Sequence, residues 1–201
     1  MRFSEADQGA AGRVHAALRR AIIAREHVPG EVLSRTDIAR AMGVSATPVR
    51  EALDRLAGEG FVEVRPRSGT VVAPIDVMAL HEGQFLAVAL GREAVRRLAA
   101  RPGAVARARA ALDDGDEFRR ALLAGVGMER LWDGLKGYFG ALDRCRALGT
   151  PRVEPRELRE DVLDRIAARD AAGAEEAIRT LLAGDMEPLG TWRRVHPEMF
   201  S

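Results

Sequence analysis

Apolar residues at helical spacing open the chain and predict its first two helices. The first helix is expected to end near Pro29-Gly30, a pair that breaks helices. Ser34 followed by Asp37 has the spacing of a capping box and starts the second helix, which Gly43 stops. The apolar positions of these two helices are Val14, Leu18, Ile22, Ile23, Ile38, Ala39 and Met42.

The segment VSATPVREALDRLAGEG predicts a third helix, with a proline near its start. Its apolar stripe comprises Val49, Ala52, Leu53 and Leu56. Pro48 is compatible with the helix because it falls in the first turn, where its missing N–H would have had no helical partner. Ser45 and Thr47 are both candidates for the N-cap, and the sequence alone does not decide between them.

After this helix the pattern changes from helical to alternating. FVEVR places Val62 and Val64 on one side, PRSG is a turn, and TVVA is a second β-rich run, so the three together predict a β-hairpin. Three helices followed by a hairpin predict a winged helix-turn-helix over residues 13–74. A short polar and flexible leader is expected over residues 1–12.

The strand signal disappears after about residue 76, and residues 75–201 are expected to form an all-α bundle. A long helix is predicted over VMALHEGQFLAVALGREAVRRLAA, shorter ones over 104–113 and 116–124, and two more near the C-terminus. The tail around Trp192 is left without a predicted structure. The expected inward positions of the later helices are Leu131, Leu135, Tyr138, Leu142, Cys145, Leu158, Val162, Ile166, Ile178, Leu181 and Leu182.

Composition narrows the class of function. The net charge is +1, so any nucleic-acid binding has to come from a local patch. Lys136 is the only lysine, and the planar fork of arginine suits phosphate and guanine recognition. Cys145 is the single cysteine, which fits a reducing cytosol and predicts a cytoplasmic protein. We expect no membrane association, because no apolar run could span a bilayer and the first residues lack a signal-peptide core.

The residues of the predicted winged domain resemble a known family. LSRTDIARAMGVSATPVREALDRLAGEGFVEVRPRSGTVVA is similar to the DNA-binding domain of the GntR family of bacterial transcription regulators, which typically shows LSE..LA..LGVSRTPVREAL..L..EGLV....RGTFV. The helical remainder resembles, more loosely, the effector-binding FCD domain of the FadR-like branch. LGREAVRRLAA and VLDRIAARDAAGAEEAIRTLL carry that second resemblance.

The resemblance implies a set of DNA contacts. Arg50 would read a guanine, Ser45 and Thr47 would hold phosphates, and Arg35 would reach the major groove. The hairpin residues Arg65, Arg67 and Gly69 would form the wing that approaches the backbone or the minor groove. Alternatives remain open for the arginines: Arg50 could pair with Asp54 on a solvated face, Arg65 and Arg67 could be edge charges, and Arg35 could be an ordinary surface residue.

One position departs from the family. Ala46 stands where the family usually has an arginine, between the serine and the threonine. An alanine cannot donate a hydrogen bond to a base or a phosphate, and an arginine–guanine pair is worth about 1–3 kcal/mol of discrimination. A shifted or relaxed operator preference is therefore expected at this site.

The second half lacks the ligands of the metal site that many FCD domains hold. The comparable positions fall near Gly115 or Asp116, Arg119 or Arg120, Arg159 and Leu181, and none is a histidine. We therefore expect no metal and no cofactor. Arg119 and Arg120 are candidates for binding a small carboxylate effector, with a surface or ion-pair role as the alternative. DDGDE is expected to be a solvated loop or helix start.

The family resemblance implies a homodimeric DNA-binding transcription regulator that acts on a palindromic double-stranded operator. A repressor is expected, although the residues themselves do not reveal the sign of regulation. An effector in the helical domain would then shift the spacing of the two winged domains. In the alternative, the helical domain is a dimerisation and protein-docking module without a small-molecule or metal ligand. An enzyme is not expected, because the chain shows no nucleophile–base pair, no Gly-rich phosphate loop and no metal cluster.

Overall fold

The computed structural model describes residues 5–66, 69–149, 156–184 and 186–201. The chain divides into two compact units. The first, here called the winged unit, comprises Met1–Val77, Gly140–Thr150 and Trp192–Ser201. The second, the helical unit, comprises Met78–Phe139 and Pro151–Thr191. A single domain boundary between residues 74 and 75 stays a prediction.

Three helices form the core of the winged unit as the sequence predicts: α1 (Glu5–Ile23), α2 (Arg35–Met42) and α3 (Ala46–Gly58). Ile38, Ala39 and Met42 of α2 are only partly buried against that core. The buried core residues are Val14, Leu18, Ile22, Leu33, Val49, Ala52, Leu53, Leu56, Phe61, Val62 and Val72. The predicted apolar stripes of α1 and α3 are therefore the faces that pack together.

Helix α1 begins earlier than the sequence pattern suggested. The prediction placed a leader over residues 1–12, but the helix already includes residues from Glu5. Ala10 and Ala11 are buried, with 8% and 0% exposure. Alanine favours the helical state and fills little space, so these two residues extend the packed face without a bulky apolar signal.

The ends of α2 follow the predicted caps. The Ser34 hydroxyl accepts a hydrogen bond from the Asp37 backbone N–H at 3.3 Å. Gly43 adopts a left-handed conformation with φ of 63° and closes the helix by donating to the carbonyls of Ala39 and Arg40. A left-handed residue at this position is the usual reason for a glycine after a helix.

The predicted hairpin is confirmed as β1 (Val62–Arg65) and β2 (Gly69–Val72), paired antiparallel from Val62↔Val72 to Arg65↔Gly69.

Sequence patterns missed a third segment on the other side of β2. Leu33 donates to the Thr70 carbonyl at 2.8 Å, and Gly30 donates to the Val72 carbonyl at 2.9 Å. This segment, between Gly30 and Ser34, is too short to show alternation.

The later helices are α4 (Val77–Ala99), α5 (Ala106–Ala110), α6 (Gly115–Gly125), α7 (Lys136–Arg146), α8 (Arg156–Ala167) and α9 (Ala171–Ala183). Residues Pro102–Val105 and Glu129–Gly134 form 3-10 turns. The fold is mostly α, as expected. None of the helices in the described part of the chain is long and apolar enough to cross a membrane.

One predicted inward position in the helical unit is wrong, and a second is only partly buried. Leu131 is 42% exposed, because residues 129–134 form a 3-10 turn whose tighter period buries Trp132 instead. Leu158 is only half-buried, whereas its neighbour Arg159 is buried and donates to the Leu112 carbonyl at 2.5 Å. A buried arginine on an amphipathic helix gives no apolar signal in the sequence.

The winged unit is completed by later parts of the chain. The Arg144 guanidinium, on α7, is buried and donates to the Ala73 carbonyl at 2.7 Å, at the end of the wing. Asp143 on the same helix pairs with Arg19 of α1 at 2.5 Å. Trp192, whose surroundings the sequence did not predict, is buried in α10 (Leu189–Val195). The winged unit therefore contains more than the segment that its motif covers.

Candidate nucleic-acid interface

The start of α3 leaves its polar groups uncommitted. Ser45 is the N-cap with extended backbone angles, φ −74° and ψ 170°, and its side chain makes no capping hydrogen bond. Pro48 lies in the first turn as predicted, so its missing N–H removes no helical bond. The free N–H groups and the partial positive charge of this helix end can therefore act on an anion.

Burial divides the first turns of α3 into two sides. Pro48 and Val49 are buried in the unit's core and fix the helix in place. The predicted contact residues Ser45, Ala46, Thr47 and Arg50 are all exposed. The structure thus brings these four residues to one solvent-facing helix end that is held by a rigid core.

Arg50 has no competing partner among the described residues, since no hydrogen bond or ion pair involves its guanidinium. The alternative pairing with Asp54 is therefore not seen. Arg35, the first residue of α2, is likewise exposed and has no ion pair within the described part of the chain. Both side chains are available to an external phosphate or base.

The wing offers a weaker set of contacts. Gly69 is exposed at the tip of the hairpin, with a φ of +83° that only glycine adopts readily. Arg65 donates to the Glu63 carboxylate at 3.1 Å, and the two side chains are about half exposed. Exposed pairs of this kind contribute little free energy, so a phosphate could replace Glu63. Arg67 lies outside the described residues.

One contact that holds α3 has no signal in the sequence. The His15 Nε2 atom on α1 lies 3.0 Å from both carboxylate oxygens of Glu59, the residue that follows α3. The two residues are 44 positions apart, so no local pattern links them. Their contact joins α1 to the C-terminal end of the helix whose other end faces solvent.

The comparisons with known proteins agree with this geometry. The model of the bacterial regulatory proteins of the gntR family matches residues 10–72. An HTH-type transcriptional regulator from an unstable DNA locus of Streptomyces ambofaciens is 31% identical, over 94% of this chain and 88% of its own. The chain belongs to the GntR family.

Two further comparisons give a relative and a fold. The HTH-type transcriptional repressor RspR of Escherichia coli K12 is 27% identical over 94% of this chain and 92% of its own. The solved structure of E. coli McbR/YncC is 20% identical and superposes with a TM-score of 0.62, over 93% of this chain and 98% of that one, which supports the fold. This GntR protein is a DNA-binding transcriptional regulator and not an enzyme.

A narrow cavity in the helical unit of this GntR protein lies beside a buried cation. Its volume is about 20 Å³, which is room for about one water molecule. Arg119 is 6% exposed, and its guanidinium carbon lies 4.6 Å from the centre of the Phe139 ring. The side chains around the cavity include Leu90, Arg119, Leu122, Trp132, Phe139 and Leu182.

The structure separates the two arginines that were predicted to bind an effector. Arg119 lines the cavity and pairs with Asp116 at 3.4 Å. Arg120 is about half exposed and pairs with Glu129 at 2.8 Å, and it does not line the cavity.

Asp114 caps α6 by accepting from the Glu117 N–H at 3.0 Å, so DDGDE is a helix start as predicted. Among the described residues, no three potential metal ligands cluster.

Proposed function

We propose that this GntR regulator is a homodimeric repressor that reads a palindromic operator with the N-terminal end of α3. The observation that carries the proposal is the exposed, uncommitted Arg50 on a helix whose opposite side is buried. A guanidinium in this position has the fork that matches the O6 and N7 acceptors of guanine in the major groove. The proposed contacts are Arg35, Ser45, Ala46, Thr47, Arg50, Arg65, Arg67 and Gly69.

Each of these residues has a role that its chemistry supports. The uncapped hydroxyl of Ser45 and that of Thr47 hold phosphates beside the helix N-terminus. Arg35 reaches the groove from the start of α2, and the wing follows the backbone through Arg65 and Gly69. Ala46 contacts a thymine methyl or no base at all, so it removes the discrimination that an arginine would supply.

Dimerisation and repression are the finer parts of this proposal. A two-fold dimer places two recognition helices on two half-sites, which explains why such operators are palindromic. Similarity to RspR, which is named a repressor, supports the sign of regulation. The protein acts in the cytoplasm, where its DNA is.

The test is a reporter promoter that carries the site selected by the purified protein from random DNA. We expect the protein to lower transcription from that promoter and to bind the selected site as two protomers. Binding should weaken steeply with salt, because phosphate contacts release counterions. Selection of no preferred sequence would refute operator reading, and a rise in transcription would refute repression alone.

The helical unit is proposed to belong to the FCD type and to bind a small carboxylate effector at Arg119. Support comes from the placement of a buried guanidinium beside an aromatic ring and an apolar cavity. An anion in that setting would form a strong charge-assisted hydrogen bond. Binding there would alter the spacing of the two winged domains and so the affinity for the operator.

A second candidate for this unit is a dimerisation and docking module without a small-molecule ligand. The cavity volume of about 20 Å³ favours it, because an organic acid needs several times that space. Thermal unfolding against a panel of carboxylates and sugar acids separates the two. A saturable rise that Arg119→Met abolishes and Arg120→Met retains supports the effector site, and no rise across the panel supports the docking module.

A further inference from the structure

Helix α4 carries a row of exposed residues on the side that faces away from the helical unit's interior. Ala87, Ala94, Val95 and Leu98 of this helix are buried. The exposed row alternates in steps of four and three residues, which is the spacing of a helix–helix contact. Its members are Met78, Glu82, Phe85, Ala89, Arg92 and Arg96, and we call them the α4 seam.

The apolar members of the α4 seam are exposed far beyond what is usual for their size. Phe85 is 74% exposed and Met78 is 66% exposed, and Leu86 beside the seam is 47% exposed. Single exposed apolar residues are common, but three within nine residues on one helix face form a patch. Such a patch indicates a surface that another apolar surface covers.

The seam residues are placed symmetrically about position 87. Suppose that a second α4 packs antiparallel on the first, with the two-fold axis passing beside position 87. Every seam residue then faces a seam residue of the other helix. Glu82 then faces Arg92, Phe85 faces Ala89, and Met78 faces Arg96. A two-fold contact requires this reciprocity, since the same patch must serve both partners.

We propose that the α4 seam is the surface through which two copies of this chain associate. The large Phe85 ring fits over the small Ala89 side chain, in the manner of a knob in a hole. Two Glu82–Arg92 pairs favour this antiparallel register, because they place opposite charges on both sides of the Phe85–Ala89 contacts. Beside the seam, His81 and Glu93 face each other in the same register.

The charges within one protomer leave room for this pairing. Glu82 makes no ion pair with any described residue. Arg92 donates to Glu175 of its own chain at 2.7 Å, but its side chain is still 52% exposed. A guanidinium has five donors, so Arg92 can hold Glu175 and the partner's Glu82 together.

This proposal rests on the proposed homodimer and is tested by two charge reversals. Glu82→Arg and Arg92→Glu each create two like-charge contacts across the seam. We expect each variant alone to dimerise at least about 10-fold more weakly than the wild type in sedimentation equilibrium. Mixed in equal amounts, the two variants should form a heterodimer. One protomer then carries arginine at both positions and the other carries glutamate at both, so opposite charges meet at each end of the seam.

A substitution of the central ring supplies a second measurement with a matched control. Phe85→Glu should weaken dimerisation, whereas Leu131→Glu should not, because Leu131 is 42% exposed outside the seam. Thermal unfolding of each variant checks that the helical unit stays folded.

The outcomes distinguish the surface from the dimer itself. A monomeric wild type at every concentration overturns both the homodimer and the seam. A wild-type dimer that all three seam variants preserve, or a mixture of charge variants that does not recover dimers, overturns the seam and leaves the homodimer standing.

Discussion

The winged unit and the helical unit bury their interiors in the same way but present opposite surfaces. At the start of α3 the buried side is apolar and the exposed side carries hydroxyls and a free guanidinium. On α4 the exposed side carries a phenylalanine and a methionine, and the ion pairs lie nearby. The chemistry of each exposed surface indicates the partner that it fits. The start of α3 fits a polyanion, and the exposed side of α4 fits another apolar helix face. The helical unit's own interior, with its small cavity, offers less evidence of a ligand than its outer surface offers of a protein partner.

The largest effect on stability is expected from a substitution in the core that holds α3. Leu56 is fully buried on that helix, so Leu56→Ala should lower the free energy of unfolding by about 2–5 kcal/mol. Chemical denaturation measures this. Val195→Ala is the control, since Val195 is 60% exposed in the same unit and its loss should change stability by less than about 0.5 kcal/mol. Equal effects would mean that the packing assigned to the winged unit is incorrect.

In the helical unit, α4 packs closely against α7 at Gly83. A Cβ atom added to Gly83 would lie 2.5 Å from the Cβ atom of Tyr138, which cannot move away as the tip of a long side chain could. Gly83→Ala should therefore destabilise by about 1–3 kcal/mol. Gly103→Ala, where the new Cβ meets nothing within 4 Å, should be neutral or stabilising in the same thermal unfolding experiment. A stable Gly83→Ala variant would contradict the packing of α4 on α7.

Ala46 tests whether the start of α3 reads bases. Ala46→Arg should change the preferred sequence in a random-site selection, by about 1–3 kcal/mol at one base pair. Ala100→Arg adds the same charge to an exposed position of the helical unit and should leave the preferred sequence unchanged. An identical motif for the wild type and both variants would exclude Ala46 from the readout.

The smallest expected effect concerns the reactivity of the Cys145 thiol. The thiol is fully buried, and burial raises its pKa to about 12 from an ordinary value of 9.0. Only about one thiol in 10,000 is then ionised at pH 8, so native protein should react slowly with a thiol reagent and unfolded protein quickly. The folded state favours the neutral thiol, so the raised pKa of Cys145 contributes to the free energy of unfolding below about pH 9. That contribution is lost as the pH rises from about 9 towards 12. Rapid labelling of the native protein would contradict this burial.

The sequence predicted the winged unit in more detail than the helical unit, for a physical reason. Caps at Ser34 and Gly43, a first-turn Pro48 and the hairpin turn are local features, and local features can be read from neighbouring residues. The parts that were missed depend on residues far apart in the chain. They include the segment that pairs with β2, the His15–Glu59 contact, and the buried arginines Arg119, Arg144 and Arg159, whose burial no apolar pattern indicates.

The candidate DNA-binding and effector-binding residues show the same contrast between local and long-range features. Exposure of the four residues at the start of α3 agrees with the positions that the family motif implied, although their contacts with DNA stay predictions. The pairing of Arg120 with Glu129 and the inward position of Arg119 could not be separated by sequence, because adjacent arginines on a helix differ only in the face they occupy. The sequence pattern predicts one long helix that includes Met78 and Phe85, but it does not show which apolar residues of that helix stay exposed.

Competition binding of Arg50→Ala tests the central claim most directly. The wild type, Arg50→Ala and Arg55→Ala are titrated against the selected operator and against random duplex DNA at one salt concentration. Arg55 is the control, since it is exposed on the same helix but near its other end. We predict that Arg50→Ala loses about 5- to 150-fold in affinity for the operator and little for random DNA, while Arg55→Ala changes neither. An equal loss on both DNAs would make Arg50 a phosphate contact only, and no loss on either would contradict the assignment of α3 as the helix that reads DNA.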